Sequence, residues 1–328
     1  MRAMTDCDSK SAPGLPDELS FIPIGHPDTM MSPESVRRAV EEFRVCPTDI
    51  IVATFSKTGT TLVTWLCHLI RLAVANGVDF DFEAHFQSLE TLYQVVPWPL
   101  LSWDIGYDPN VDGNEYTPRV FKSHLRMASI YRGCKYIVTV RDPAKTTLSF
   151  YNFLLAKKVP SVLEMDVSSF LLDTPFVLGR PGRASLWDYY KEYHILRDCP
   201  SVLVLVYEDL VKDMPRGIRI ISQFMDLHAV PDELVQKVTA MASREYMAQY
   251  NTLFDEPYER AAKLGRAGDL SQLAPGDKVA TKVHTQTLND KAEEFLAEQW
   301  QKNLAPLGYE NYDDFAATFR ERNERRFP

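Results

Sequence analysis

The chain has 328 residues and carries 36 Lys and Arg against 45 Asp and Glu, a net charge of −9, with 45% hydrophobic and 25% charged residues. That balance belongs to a folded globular protein and excludes a disordered one. The acidic excess argues against a nucleic-acid surface but leaves room for an anion site, because a few cations focused in a cleft act whatever the total charge.

Five cysteines, Cys7, Cys46, Cys67, Cys134 and Cys199, are scattered without a CxxC pair. Neither a disulfide framework nor a zinc site is expected, and a reducing compartment fits best. Cys67 and Cys134 lie in apolar surroundings and read as buried thiols. The first sixteen residues hold no apolar run. The most apolar stretch, Leu62 to Ala75, is interrupted by His68 and Arg71 and is too short to span a bilayer. The expectation is a cytoplasmic protein with no membrane or nucleic-acid partner and no metal.

Residues 1–30 are read as a flexible N-terminal segment and 31–328 as a single domain, since no Gly/Ser-rich linker divides the chain. Ser32-Pro33-Glu34-Ser35 signals a helix start, running to about Phe43. Asp49 to Phe55 is a β-branched run that suggests a strand buried on both faces. The loop Ser56 to Thr61 follows, then an amphipathic helix over Leu62 to Ala75, ended by Asn76-Gly77. Further strands are expected at Arg119–Lys122, Tyr136–Val140 and Val202–Val206, and helices at Ala144–Lys157, Leu186–Arg197, Met214–Met225 and Leu288–Leu304. Residues 263–288 read as a long irregular loop. Alternating strands and helices predict an α/β fold with a central parallel sheet flanked by helices.

Three segments carry candidate chemistry. Lys57-Thr58-Gly59-Thr60-Thr61 leaves a buried strand and opens a helix, where unpaired backbone N–H groups favour an anion. It is not a Walker A motif, because Lys57 precedes Gly59 and no earlier glycine exists; a plain strand–helix turn is the other reading of these residues alone. Lys122 and His124 stand two apart at a strand end and point to one side. Arg141 follows the next strand directly, and Ser149 rides on the helix after it. Lys57, His124 and Arg141 all fall at carboxyl ends of strands, where open α/β sheets bind ligands.

These segments resemble the cytosolic sulfotransferases. Thr54 to Thr61 is similar to their TYPKSGTTW loop, Phe121 to Leu125 to KTHLP, Val140 to Lys145 with Ser149-Phe150-Tyr151 to RNPKD…SYY, Leu205 to Leu210 to FLFYEDM, and Lys263 to Asp269 to a degraded RKGxxGDW. The matches keep family order from about residue 35 to 315. The resemblance implies transfer of a sulfuryl group from 3′-phosphoadenosine 5′-phosphosulfate (PAPS) to a hydroxyl or amine of a small organic acceptor, leaving 3′-phosphoadenosine 5′-bisphosphate (PAP), without a metal. It implies that Thr58, Gly59, Thr60 and Thr61 hold the 5′-phosphosulfate through backbone and hydroxyls, with Leu62 where the family stacks Trp on adenine. Arg141 and Ser149 would take the 3′-phosphate, helped by Lys263, Leu264 and Gly265, with Tyr207 and Ser243 at the adenine and Arg244 near a second stacking position. His124 would be the general base, Lys57 would act on the leaving phosphate, Lys122 would contact the sulfuryl group, and Ser149 joins them in the catalytic set. Trp98, Trp103 and Phe153, with Phe86, Tyr93 and Tyr107, fall where the family builds its acceptor pocket. Asp104, Asp108 and Asp112 read as a solvated loop. The family's KxxxTVxxxE dimerisation segment is not intact between Lys278 and Asp290, so a monomer or homodimer is expected. The competing readings are a P-loop kinase or NTPase, for which Val202 to Asp209 mimics a Walker B strand, and a binder that keeps the fold without turnover.

Overall fold

The computed structural model describes residues 15–16, 19, 31–113, 115–227, 230–255, 279 and 286–328. Helix α1 (Pro33–Glu41) starts as the sequence predicts: the Ser32 hydroxyl accepts from the Ser35 N–H and proline occupies the first turn. β1 (Ile50–Ala53) leads through the 54–59 loop into α2 (Thr60–Asn76), which is stopped at Gly77 with φ 81°. Short helices α3 (Phe82–Gln87) and α4 (Pro99–Ser102) precede β2 (Val120–Ser123) and β3 (Lys135–Val140). Then come α5 (Pro143–Ala156), α6 (Pro160–Leu163), α7 (Val167–Asp173), α8 (Leu186–Ile195) and β4 (Val202–Val206). The remaining helices are α9 (Tyr207–Lys212), α10 (Met214–Phe224), α11 (Asp232–Met241), α12 (Arg244–Gln249), α13 (Asp290–Asn303) and α14 (Tyr312–Arg326).

Among the described residues the four strands pair in parallel, in the order β2-β1-β3-β4. Side chains alternate across a strand, and the sheet divides its residues accordingly. Ile51, Ala53, Tyr136, Val138, Val202 and Val204 face one core with α8, α13 and α14. Ile50, Val52, Ile137, Leu203 and Leu205 face another with α2, α10 and α11. Both faces being covered explains the continuous apolar runs. Because β1 is flanked by β2 on one side and β3 on the other, the chain leaves β1 and β3 in opposite directions. The crevice between their carboxyl ends is the switch point where such folds bind ligands.

Three expectations need correction. Helix α2 begins two residues before Leu62, because Gly59 caps it. Cys46 is disulfide-bonded, whereas no disulfide was expected; spacing along a chain does not reveal which sulfurs fold into reach of one another. Cys67, Cys134 and Cys199 are free and buried, with burial pushing the Cys67 thiol up to about 12. Asp104 is not solvated: it is 8% exposed and accepts from both the N–H and the hydroxyl of Ser32, while Asp112 accepts from the Asp108 N–H at 2.6 Å. These carboxylates satisfy loop and cap donors. The long 263–288 loop lies outside the described residues apart from 279 and 286–288, as does all of the N-terminal segment but 15–16 and 19. Among the described residues no helix is long and apolar enough to cross a membrane, and no cluster of His, Cys, Asp or Glu is placed to hold a metal.

Helix α2 buries Arg71 (1% exposed) and His68 (0%). Arg71 donates Nε to His68 Nδ1 at 3.1 Å and Nη1 to the Pro118 carbonyl at 3.0 Å. His68 and His85 meet through their Nε2 atoms at 3.0 Å. Burial, then Arg71, push both imidazoles below their ordinary value. A histidine so depressed stays neutral in the fold while the unfolded chain takes up the proton, so stability is full above ~6.5 and is lost as pH falls below it. We expect denaturant titrations at pH 7.5 and 5.5 to show a loss approaching about 1.4 kcal/mol per pH unit from His68. A His68→Gln protein with the same pH slope as wild type would refute the assignment.

Candidate active site

The carboxyl ends of all four strands are tied together. After β1, Lys57 adopts φ 69° and Gly59 φ 121°. The left-handed turn at Lys57 directs its carbonyl at Arg141, whose Nη1 donates to it at 2.7 Å. Arg141 follows β3; its N–H donates to the Tyr190 hydroxyl at 3.1 Å, and that hydroxyl donates back to the Arg141 carbonyl. Tyr207 follows β4 and lays its ring 4.3 Å from the Arg141 guanidinium carbon. His124 follows β2, and its Nδ1 lies 2.9 Å from the carbonyl of Thr54 at the end of β1.

Gly59 caps α2 without a side-chain hydrogen bond, which leaves the first-turn N–H groups without intrahelical partners. The hydroxyls there behave differently from the sequence-based expectation. Thr58 is fully buried and donates to the Phe55 carbonyl at 2.8 Å while meeting the Thr139 hydroxyl at 2.8 Å. Thr60 is 5% exposed and pairs with Thr54 at 2.5 Å. Both hydroxyls satisfy polar groups under the loop instead of lining it. What the loop presents is backbone, together with half-buried Thr61.

Around His124 the chain builds an aromatic wall. Trp98 meets its ring edge to face at 5.2 Å. Lys122, only 3% exposed, donates Nζ to the Tyr93 hydroxyl at 2.8 Å and lies 4.1 Å from the Trp98 ring centre. Trp98, Tyr93, Leu101 and Ile105 form a third apolar cluster, against which Trp103, Tyr107 and Leu125 pack. The indole Nε1 atoms of Trp98 and Trp103 are buried without a hydrogen bond. Lys57 Nζ sits 4.3 Å over the Phe153 ring. A carbonyl can only accept, so His124 Nδ1 carries the proton and Nε2 is the acceptor of the neutral ring.

Lys57, Arg141, Tyr207 and Phe153 are thus joined by direct contacts, and Lys122, Trp98 and His124 by another set, which His124 anchors to the Thr54 carbonyl at the end of β1. Ser149 lies two turns into α5 and is half-buried. The hydroxyl of Ser243 caps α12 by accepting from the Tyr246 N–H at 3.2 Å, and Arg244 is exposed. Leu62 packs against the α2-side core. Phe86 does not reach the cleft: it is 1% exposed and packs on Trp65 at 4.5 Å in that same core. Alternate faces of α3 and α2 decide this, which motif order does not report. Lys263, Leu264 and Gly265 lie outside the described residues. A cavity of about 510 Å³ lined by Asp142, Glu208, Tyr312 and Arg320 touches none of Lys57, Lys122 or His124 and is not the reaction cleft. The sequence-based reading missed Tyr190; the aromatic helix at 186–197 was its one visible trace.

Residues 47–306 match the family model described as the sulfotransferase domain, and the chain belongs to that family. It is 27% identical over 246 residues to sulfotransferase 1 family member D1 of Rattus norvegicus, covering 70% of this chain and 79% of the relative. It is 28% identical over 255 residues to sulfotransferase 2A6 of the same species, covering 74% and 83%. Its fold resembles that of retinol dehydratase solved with androsterone and inactive cofactor PAP, with a TM-score of 0.53, 18% identity and coverage of 88% and 84%. It also resembles mouse sulfotransferase SULT7A1 complexed with PAP, with a TM-score of 0.52, 16% identity and coverage of 90% and 95%.

A Cβ at Gly59 would stand 2.6 Å from Tyr207 Cδ2, at a φ that L side chains rarely adopt. Gly59→Ala is therefore expected to lower folding stability by about 1–3 kcal/mol and to displace the Tyr207 ring from Arg141. Denaturant titration checks the first, and a crystal structure of the variant the second; an unmoved ring would contradict this account of the glycine.

Proposed function

We propose that this protein is a PAPS-dependent sulfotransferase acting on a hydroxyl or amine of a small organic acceptor, with His124 as general base. The observation that carries the reading is the hydrogen bond between His124 Nδ1 and the Thr54 carbonyl, which sets the tautomer a base needs at Nε2.

The donor fits the residues present. The first turn of α2 offers unpaired N–H groups to a 5′-phosphate. Arg141 Nε is buried with no hydrogen-bond partner, and an anion such as the 3′-phosphate would supply one. Ser149 supports the same group. In this reading Gly59 and Thr61 serve the 5′-phosphosulfate, and Leu62, Tyr207 and Ser243 the adenine. Lys263, Leu264 and Gly265 stay in the reading from the family resemblance alone.

Sulfuryl transfer asks for in-line positioning and charge stabilisation, as phosphoryl transfer does. His124 Nε2 accepts the acceptor proton as its oxygen or nitrogen bonds to sulfur. Lys57 meets the charge that builds on the bridging oxygen as the S–O bond to phosphate breaks, and Lys122 steadies the sulfuryl oxygens. The aromatic cluster of Tyr93, Trp98 and Trp103 supports an apolar acceptor, in keeping with the androsterone held by retinol dehydratase.

His124→Ala is expected to reduce transfer to an un-ionised acceptor at least ~10²-fold while leaving PAP affinity and melting temperature near wild type. A folded variant within about tenfold of wild type would sink the general-base role. Lys57→Ala is expected to lower kcat far more than it raises the donor KM; steady-state kinetics showing the reverse would make Lys57 a ground-state binder.

A further inference from the structure

We infer that Glu208 and Tyr312 are positioning residues for Arg141, and that through them the C-terminal helix sets discrimination for a nucleotide bearing a 3′-phosphate. The inference rests on the proposed role of Arg141 and adds a control from a distant part of the chain.

Glu208 bridges two elements with its two oxygens. Oε1 accepts from the Asp142 N–H at 3.2 Å, and so holds the peptide that follows Arg141. Oε2 accepts from the Tyr312 hydroxyl at 2.6 Å, across 104 positions of sequence. Glu208 also directly follows Tyr207, whose ring covers the Arg141 guanidinium. One carboxylate therefore fixes both the backbone that carries Arg141 and the aromatic face against which it lies. Helix α14 grips this turn a second time, through Arg320 Nε and Asp209 Oδ2 at 2.6 Å.

The rest of Arg141 is equally constrained. Tyr190 holds its N–H and its carbonyl, and Lys57 accepts from Nη1. Its Nε is buried without a hydrogen-bond partner. A guanidinium held at Nη1 by the Lys57 carbonyl and against the Tyr207 ring recognises a ligand by direction, and small rotations of its peptide re-aim it. Removing the Tyr312 hydroxyl leaves the Glu208 carboxylate without the donor that fixes its rotamer. The Asp142 peptide and the Tyr207 ring then lose their common anchor. Burial pushes the Tyr312 phenol far above its ordinary value, so it remains a donor throughout the working pH range.

The test compares PAP with adenosine 5′-phosphate, which lacks the 3′-phosphate, by calorimetry on the full chain. Wild type is expected to prefer PAP by tenfold or more, on the order of one or more charge-assisted hydrogen bonds. Tyr312→Phe keeps the ring and removes one oxygen. It is expected to weaken PAP about tenfold while leaving adenosine 5′-phosphate within about twofold. Glu208→Ala is expected to lose the preference in the same way. Glu208→Gln, which retains an acceptor for the Asp142 N–H, is expected to restore most of it. Parallel loss of both ligands would mean a merely structural role and overturn the inference. An unchanged preference in both Tyr312→Phe and Glu208→Ala would overturn it while leaving the Arg141 role standing. A wild type without preference would overturn that role as well.

Discussion

The hydrogen bond from Arg141 Nη1 to the carbonyl of Lys57 joins the loops that leave β1 and β3. Those two strands are neighbours whose connections depart in opposite directions, so nothing in the sheet itself closes the gap between their ends. The bond does so, at the price of a non-glycine residue in left-handed geometry at Lys57, a conformation that costs of order 1–3 kcal/mol. That turn delivers the carbonyl to Arg141 and leads into Gly59, from which α2 starts with its N–H groups open. Without the bond, the loop would lose its direct hold on the arginine, and a ligand spanning both would have to order them on binding.

Rigidity beneath the site comes from the sheet. Each strand sends alternate residues to two separate cores, so the strand ends are clamped from both faces. Small buried hydroxyls finish the job under the loop, where Thr54, Thr58, Thr60 and Thr139 pair with one another. Thr139 belongs to β3 and Thr58 to the loop after β1, so this contact stitches the same two strand ends one layer deeper. Buried hydroxyls left unpaired would each cost about 1–3 kcal/mol, and their mutual pairing removes that penalty while defining the loop's shape.

Much of this was legible in the sequence, for identifiable reasons. Short unbroken apolar runs rich in β-branched residues at 50–53 and 202–206 read as strands covered on both sides, and Asn76-Gly77 marks where α2 ends. Their place at strand ends was legible for His124 and Arg141, which directly follow strands, and for Lys57, which lies in the loop after β1. What stayed hidden depends on the direction of side chains or on distance along the chain. Thr58 and Thr60 look like ligand donors until their buried partners are known. Phe86 sits in motif order beside Trp98 yet faces the other core. The cap role of Asp104 needs Ser32, 72 positions away, and the Glu208–Tyr312 bridge joins β4's end to a helix that hydrophobic periodicity did not single out.

Charge poses a last question, since a chain of net charge −9 is read here as binding a polyanion. The contacts at the cleft answer it locally. Lys57 rests on the Phe153 ring, Lys122 on the Tyr93 hydroxyl and the Trp98 ring, and Arg141 on a carbonyl and the Tyr207 ring. Neutral acceptors and aromatic faces attract a cation through dipole and quadrupole without cancelling its charge. A carboxylate in the same place would fix the side chain as well but would extinguish its field. Among the described residues, Arg126 pairs with Glu192, Arg119 with Asp49, and Lys157 with Asp255. The neutral contacts described at the strand ends hold their cations without cancelling the charge that an anion would meet.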